Sequence, residues 1–148
     1  MPTVNSYDQD FYAWTLHNAD LIRQGRFAEM DALQIAEELE SMGKRDKREL
    51  ISRFKVLIMH LLKWSFQPEK RSKSWEQTID EQREQINLIL MDSPSLKYQL
   101  IARINDTYPL ALKAAMKETN LPLKTFPTIC PYSVEQILNE AFYPDNGS

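Results

Sequence analysis

A chain of 148 residues with 43% hydrophobic and 26% charged side chains carries enough apolar content for a packed core and too much for a disordered chain. A net charge of −3 with both signs interspersed argues against a dedicated nucleic-acid surface, and no run of about 18 apolar residues exists to span a membrane. Three glycines leave little room for hairpins or phosphate loops, and the single cysteine, Cys130, excludes an internal disulfide and cannot by itself supply a thiolate zinc site. The N-terminus lacks a basic region followed by an apolar one, so the expected compartment is the cytoplasm.

Ser6 and Gln9 have the spacing of a capping box and predict a helix to about Gln24, with Phe11, Thr15, Ala19 and Ile22 on one face. Gly25 suits the left-handed position just past its end. After a short link, Asp31 is the expected N-cap of a long helix over Ala32–Phe66. At roughly 100° per residue, Ile35, Ala36, Leu39, Met42, Gly43, Leu50, Phe54, Leu57, Leu61 and Trp64 fall within about one third of its circumference. The phase does not reset at Gly43, so the helix is read as continuous. A packed glycine would have its reason in the close approach of another backbone. Asp46 also lands on this stripe.

Pro68 ends the long helix, and Ser74 with Gln77 offers another capping box for a helix to about Met91, with Trp75, Ile79, Gln82, Ile86 and Leu90 along one face. Ser93 and Pro94 open a further helix to about Asn120, and Pro109 inside it should kink it, because the bond to the Asn105 carbonyl is lost. Beyond Leu121, Pro122, Pro127 and Pro131 punctuate Leu123, Phe126, Ile129 and Tyr132. That pattern reads as an extended arm laid over the helices. Ser133 with Gln136 caps a last helix over about Val134–Glu140, and the residues from Asp145 onward are expected to fray. The whole is an all-α chain, residues 1–148 as one domain: a bundle of five or six helices with one long central helix and a C-terminal proline-rich arm.

Three groups of residues could carry chemistry. His60 lies at the margin of the long helix's apolar stripe. A histidine there can act as a general base or metal ligand, or it can be a half-buried residue bonded to its surroundings. Gln82 occupies a stripe position where an aliphatic residue is expected, with Thr78 one turn before it; a buried amide demands partners, from a ligand or from the fold. Together His60, Gln82 and Thr78 form the candidate catalytic set. Glu37 and Glu40 share a helix face and are the weaker candidates to join His60 on a metal, with a solvated acidic turn as the competing reading. Lys70, Arg71 and Lys73, flanked by Trp64, Phe66 and Trp75, form a basic loop that could touch phosphate; inward-facing tryptophans favour a plain charged turn. His17 has no paired spacing, and Cys130 reads as a small buried hydrophobe. No nucleophile elbow, phosphate loop or dinucleotide fingerprint is present, and no cofactor is indicated.

Several blocks resemble a bacterial family of uncharacterised proteins, domain-of-unknown-function family 29. They are Tyr7–Trp14, Ala36–Gly43, His60–Trp64, Gln67-Pro68, Ser74-Trp75 through Gln82-Arg83, Asp92–Leu96, Glu118-Thr119, Phe126-Pro127 and Cys130-Pro131. The resemblance implies an all-helical domain and no particular activity. The expectation is therefore a non-catalytic interaction or regulatory module whose partner is a protein, self-association included, with no membrane and no nucleic acid. The alternatives are an enzyme with acid–base or metal chemistry centred on His60, and nucleic-acid contact through Lys70–Lys73.

Overall fold

The computed structural model describes residues 6–145. Its first helix, α1 (Phe11–Arg23), is capped by Asp10 and not by Ser6: the Asp10 carboxylate accepts the Ala13 N–H at 3.0 Å. The Ser6 carbonyl instead closes a turn by accepting from the N–H groups of Gln9 and Asp10. A tertiary contact displaces the expected cap, because Tyr7 donates its hydroxyl to Glu38 and sets its ring edge-on to Phe11 and Trp14, 5.3 and 5.1 Å between centroids. At the other end Gly25 has φ +71°, as expected, and Arg26 N–H reaches back to the Leu21 carbonyl while Gly25 N–H reaches Ile22. These two bonds are the Schellman arrangement, which favours glycine at that position.

Helix α2 (Ala32–Phe66) runs 35 residues and passes through Gly43 without interruption. The Asp31 carbonyl accepts the first helical N–H, from Ile35, while its carboxylate takes the Trp14 indole N–H at 3.3 Å. Along this helix the chain divides into two compact units, Met1–Lys44 and Arg45–Ser148.

The first unit is a helical hairpin in which Tyr7 meets Glu38 and Trp14 meets Asp31, so α1 and the start of α2 run antiparallel. Its core is small: Trp14, Leu21 and the side chain of Asn18. Asn18 accepts the Asp31 N–H at 2.8 Å and donates to the Trp14 carbonyl at 3.0 Å.

The second unit carries the main core. α3 (Lys73–Asp92) begins after Ser72, whose hydroxyl accepts the Trp75 N–H at 3.2 Å; the cap therefore sits two residues before the expected Ser74. Arg71 fixes the position, its Nε donating back to the Trp64 carbonyl at 2.8 Å, so the loop is already closed when Ser72 is reached. Pro94 does not open the next helix. It starts a single 3-10 turn, Pro94–Lys97, after which Gln99 adopts φ +65° and α4 (Leu100–Thr119) begins. A left-handed glutamine costs about 1 kcal/mol, offset here by the burial of Leu100 one residue later. Pro109 lies within α4, which continues through it. Arg53 meets Gln82 and Lys63 nears Trp75, so α2 and α3 are antiparallel.

The arm crosses this unit as expected, burying Phe126 and Tyr132 and ending in α5 (Val134–Leu138), where both halves of the Ser133–Gln136 capping box form. Asp145 is held by its carbonyl, which accepts the Ser65 hydroxyl at 2.9 Å; residues 146–148 lie outside the described residues. Arg83 ties the arm down from beneath. It is fully buried, and its Nε and Nη2 donate to the carbonyls of Ile137 and Gln136 at 2.8 and 3.2 Å.

The α2 stripe is buried only from Leu50 onward. Every residue from Leu39 to Glu49 is exposed, Asp46 among them, and a Cβ built on Gly43 meets nothing within 4 Å. The expectation of a backbone approaching Gly43 therefore does not hold among the described residues. Gly43→Ala should relieve most of the ~1 kcal/mol helix penalty of glycine, slowing amide exchange across residues 39–49 of dilute protein by about fivefold in hydrogen-exchange mass spectrometry. Arg83→Ala should destabilise the second unit by about 3 kcal/mol, since it opens a cavity and strips two buried carbonyls of a charged donor. Arg83→Lys should rescue little, because an ammonium cannot span both carbonyls as a guanidinium does. Urea denaturation followed by tryptophan fluorescence measures both.

Candidate functional site

His60 sits half-buried on α2 with Nδ1 2.9 Å from the Val56 carbonyl one turn earlier. A carbonyl only accepts, so Nδ1 carries the proton and Nε2 keeps its lone pair. Burial pushes the pKa of His60 down, and the positive charge of Lys63 pushes the same way, against the Val56 carbonyl and the Glu118 carboxylate. His60 is thus a neutral imidazole at pH 7, able to accept a hydrogen bond or a proton through Nε2.

Its neighbours form a cluster that periodicity alone did not find. Lys63 is buried with 8% of its surface exposed, yet it is charged, so it needs a partner. Its Nζ donates to Glu118 on α4 at 3.1 Å and lies 4.7 Å from the centre of the Trp75 ring on α3. Three helices therefore converge on one ammonium. Lys63 lies well off the apolar stripe, which is why it reads as a solvent-facing lysine. The signal that could have exposed it is the run Val56-Leu57-Ile58-Met59 with Leu61-Leu62, apolar on all sides, which marks a helix segment enclosed on more than one face.

Gln82 and Thr78 do not join His60. Gln82 accepts from Arg53 Nη1 at 3.3 Å, and Arg53 also bonds Glu49 at 3.1 Å; Thr78 donates to the Ser74 carbonyl of its own helix. Glu37 and Glu40 lie 23 and 20 positions before His60 in the chain, in the first compact unit, whereas His60 belongs to the second. Among the described residues no three His, Cys, Asp or Glu side chains are placed to hold one metal ion.

The basic loop divides by role. Arg71 donates to the Trp64 and Pro144 carbonyls and stacks 4.9 Å over the Trp64 ring, while Lys70 and Lys73 are exposed. Cys130 is half-buried, with its thiol 3.6 Å from the Tyr132 carbonyl, and burial pushes its pKa up, so it remains protonated. A groove of about 700 Å³ lies between the end of α4 and the arm, lined by Leu112, Pro122, Leu123, Lys124, Phe126 and Thr128.

The family model described as domain of unknown function DUF29 matches residues 6–143. Neither a curated protein nor a solved structure matches the chain.

The depressed pKa of His60 has a consequence for stability. The folded chain binds its proton less readily than the unfolded chain, where the pKa is about 6.5. Its contribution is therefore intact above about pH 6.5 and is lost as pH falls through the folded pKa. Thermal melts of the native chain and of His60→Gln between pH 7.5 and pH 5 should show the native chain losing more stability; a constant difference would mean that His60 titrates alike in both states.

Proposed function

The chain belongs to the DUF29 family, and for this domain of unknown function we propose a non-catalytic role, as an interaction or regulatory module of the cytoplasm whose partner is a protein. One observation carries the reading. Among the described residues fifteen large apolar side chains are exposed, and eight of them fall between Phe11 and Met42: Phe11, Tyr12, Leu16, Ile22, Phe27, Leu33, Leu39 and Met42. Scattered exposed apolar residues are ordinary, but such a density on a short helical hairpin is a feature of docking surfaces. On α1, Tyr12 and Leu16 are one turn apart, on the side away from Trp14, Asn18 and Leu21.

Acid–base chemistry at His60 is supported by the open Nε2. It finds less support in the surroundings, because Gln82 and Thr78 bond elsewhere and the Glu118 carboxylate, whose charge His60 feels, is engaged by Lys63. Nucleic-acid contact through the loop rests on Lys70 and Lys73 alone, since Arg71 holds the arm and the end of α2. No helix among the described residues is long and apolar enough to cross a membrane.

Native mass spectrometry of the protein purified from its own host tests the proposal. The expected species is the chain bound to another protein or to a second copy, lost in the double variant Tyr12→Glu/Leu16→Glu with far-UV circular dichroism unchanged. A lone chain that retains a metal ion or a small molecule would point to the enzyme reading.

A further inference from the structure

The groove beside α4 lies wholly within the second unit, and its walls are held in place by the fold itself. Pro122 and Pro127 restrict the arm. The turn over Leu123–Thr125 closes with the Phe126 N–H on the Leu123 carbonyl at 3.1 Å, and Tyr108 donates to the Pro127 carbonyl at 2.6 Å. Phe126 is the buried member of the lining, 4% exposed and edge-on to Phe66 at 5.3 Å between centroids. Leu112 contributes from α4 and Leu123 from the arm, the latter with 58% of its surface open. At about 700 Å³ the groove has room for a few side chains or one small molecule.

The charges beside it are of one sign. Between Thr107 and Ser133 the cations are Lys113, Lys117 and Lys124, and the one carboxylate is Glu118. Lys124 lines the groove, Lys113 follows Leu112 on α4, and Lys117 stands one turn further on. All three lysines are exposed, and among the described residues none of them makes a hydrogen bond or an ion pair. Glu118 is turned to α2, where Lys63 holds it at 3.1 Å. The next carboxylates along the chain are Asp106, two turns before Lys113, and Glu135, in α5 beyond the arm. Among the described residues no carboxylate lines the groove.

An apolar trough edged by unpaired ammonium groups is complementary to a bulky apolar group with negative charges beside it. A nucleic acid would bring phosphates, but its bases need an open aromatic face, and Phe126 is buried. A single-chain aliphatic carboxylate would bring one charge to three ammonium groups. An acidic peptide brings several, and walls already in place lower the cost of ordering it.

We propose that the groove between α4 and the arm is a docking site for an acidic peptide segment with a leucine or phenylalanine anchor. The anchor seats over Phe126 between Leu112 and Leu123, and the flanking carboxylates meet Lys113, Lys117 and Lys124. This rests on the reading of the chain as a protein-binding module and names the chemistry of one partner, at residues other than those of the outer face of α1. The contact is small and its charges are exposed, so binding is weak, reversible and sensitive to salt.

The test is an NMR titration of the full chain, labelled with nitrogen-15, with two synthetic hexapeptides: acetyl-Glu-Asp-Leu-Phe-Asp-Glu-amide and acetyl-Lys-Lys-Leu-Phe-Lys-Lys-amide. The acidic peptide is expected to shift the amides of residues 112–128 with a Kd of about 10–500 μM, and the basic one to bind at least about tenfold more weakly. Lys124→Glu and the double variant Lys113→Glu/Lys117→Glu should each weaken the acidic peptide by about fivefold or more, and Leu123→Asp by about tenfold. All four positions are exposed, so the melting temperature should stay where it is. Tyr12→Glu/Leu16→Glu should leave peptide binding unchanged. No shift at about 1 mM acidic peptide, equal binding of the two peptides, or indifference to both lysine variants overturns the proposal. So does a groove that responds only to decanoate or to oligothymidylate. Failure here, with a protein co-purified from the host, leaves the broader interaction reading standing at another surface; failure here with a lone chain in the host preparation removes both.

Discussion

A guanidinium sealed from water must find its acceptors inside the protein, and the fold of the second unit turns on where Arg83 finds them. Its Nε and Nη2 reach the carbonyls of Ile137 and Gln136, at the end of the short helix α5, its Nη1 is buried without an acceptor among the described residues, and its Cζ lies 5.6 Å from the centre of the Tyr143 ring. A proline-punctuated arm has few carbonyls satisfied by regular structure, so donors must come from elsewhere. α2, α3, α4 and the loop between α2 and α3 provide them. Arg83 and Ser65 donate to the arm, Arg71 donates to Pro144, and Tyr108 donates to Pro127 at 2.6 Å. The Tyr108 hydroxyl is pushed up to about 12 by burial and so remains a donor across the physiological range. Tyr132 returns a bond in the other direction, to the Leu61 carbonyl at 3.0 Å.

The two units are stabilised by different means. The second buries aliphatic layers from three helices and the arm. The first has little to bury and relies on specific polar contacts: Asn18 bridging two backbones, the Trp14 indole on Asp31, Tyr7 on Glu38. A hairpin so constituted leaves much of its apolar surface outward. The same economy explains why its exposed residues, and not the buried polar cluster around Lys63, support the functional reading. The Lys63 ammonium has found its carboxylate and its aromatic face, and a charge so satisfied serves to join helices.

Much of the architecture was legible in the order of residues. The unbroken phase of the apolar stripe carried α2 through Gly43, and the Gly25 and Ser133–Gln136 signals marked ends that formed as read, because each depends only on residues within a turn. The caps at Ser6 and Ser74 failed for the opposite reason. Tyr7 is claimed by Glu38 and Arg71 by Trp64, and contacts of that kind leave no trace in a four-residue pattern. Pro94 opened only a turn, since the left-handed Gln99 that follows has no local signature. At the candidate site, periodicity placed His60 at the edge of the buried face, but it could not place Glu118 beside Lys63, 55 positions away, or recognise that Arg83 is internal. Helical phase says which way a residue points, and it is silent on what arrives opposite.

The reach of those arm contacts sets an order of events during synthesis. Ser65 waits for a carbonyl 80 positions later, Leu61 for a hydroxyl 71 positions later, and Arg83 for acceptors 53 and 54 positions on. Until residues 126–145 have left the ribosome, a nascent α2–α4 assembly holds an ionised arginine without its acceptors and greasy seams without Phe126, Tyr132 and Ile137 to close them. Emergence of the arm and sealing of the core are therefore nearly the same moment, and a polypeptide released before the arm is made is a natural target for chaperones and proteases.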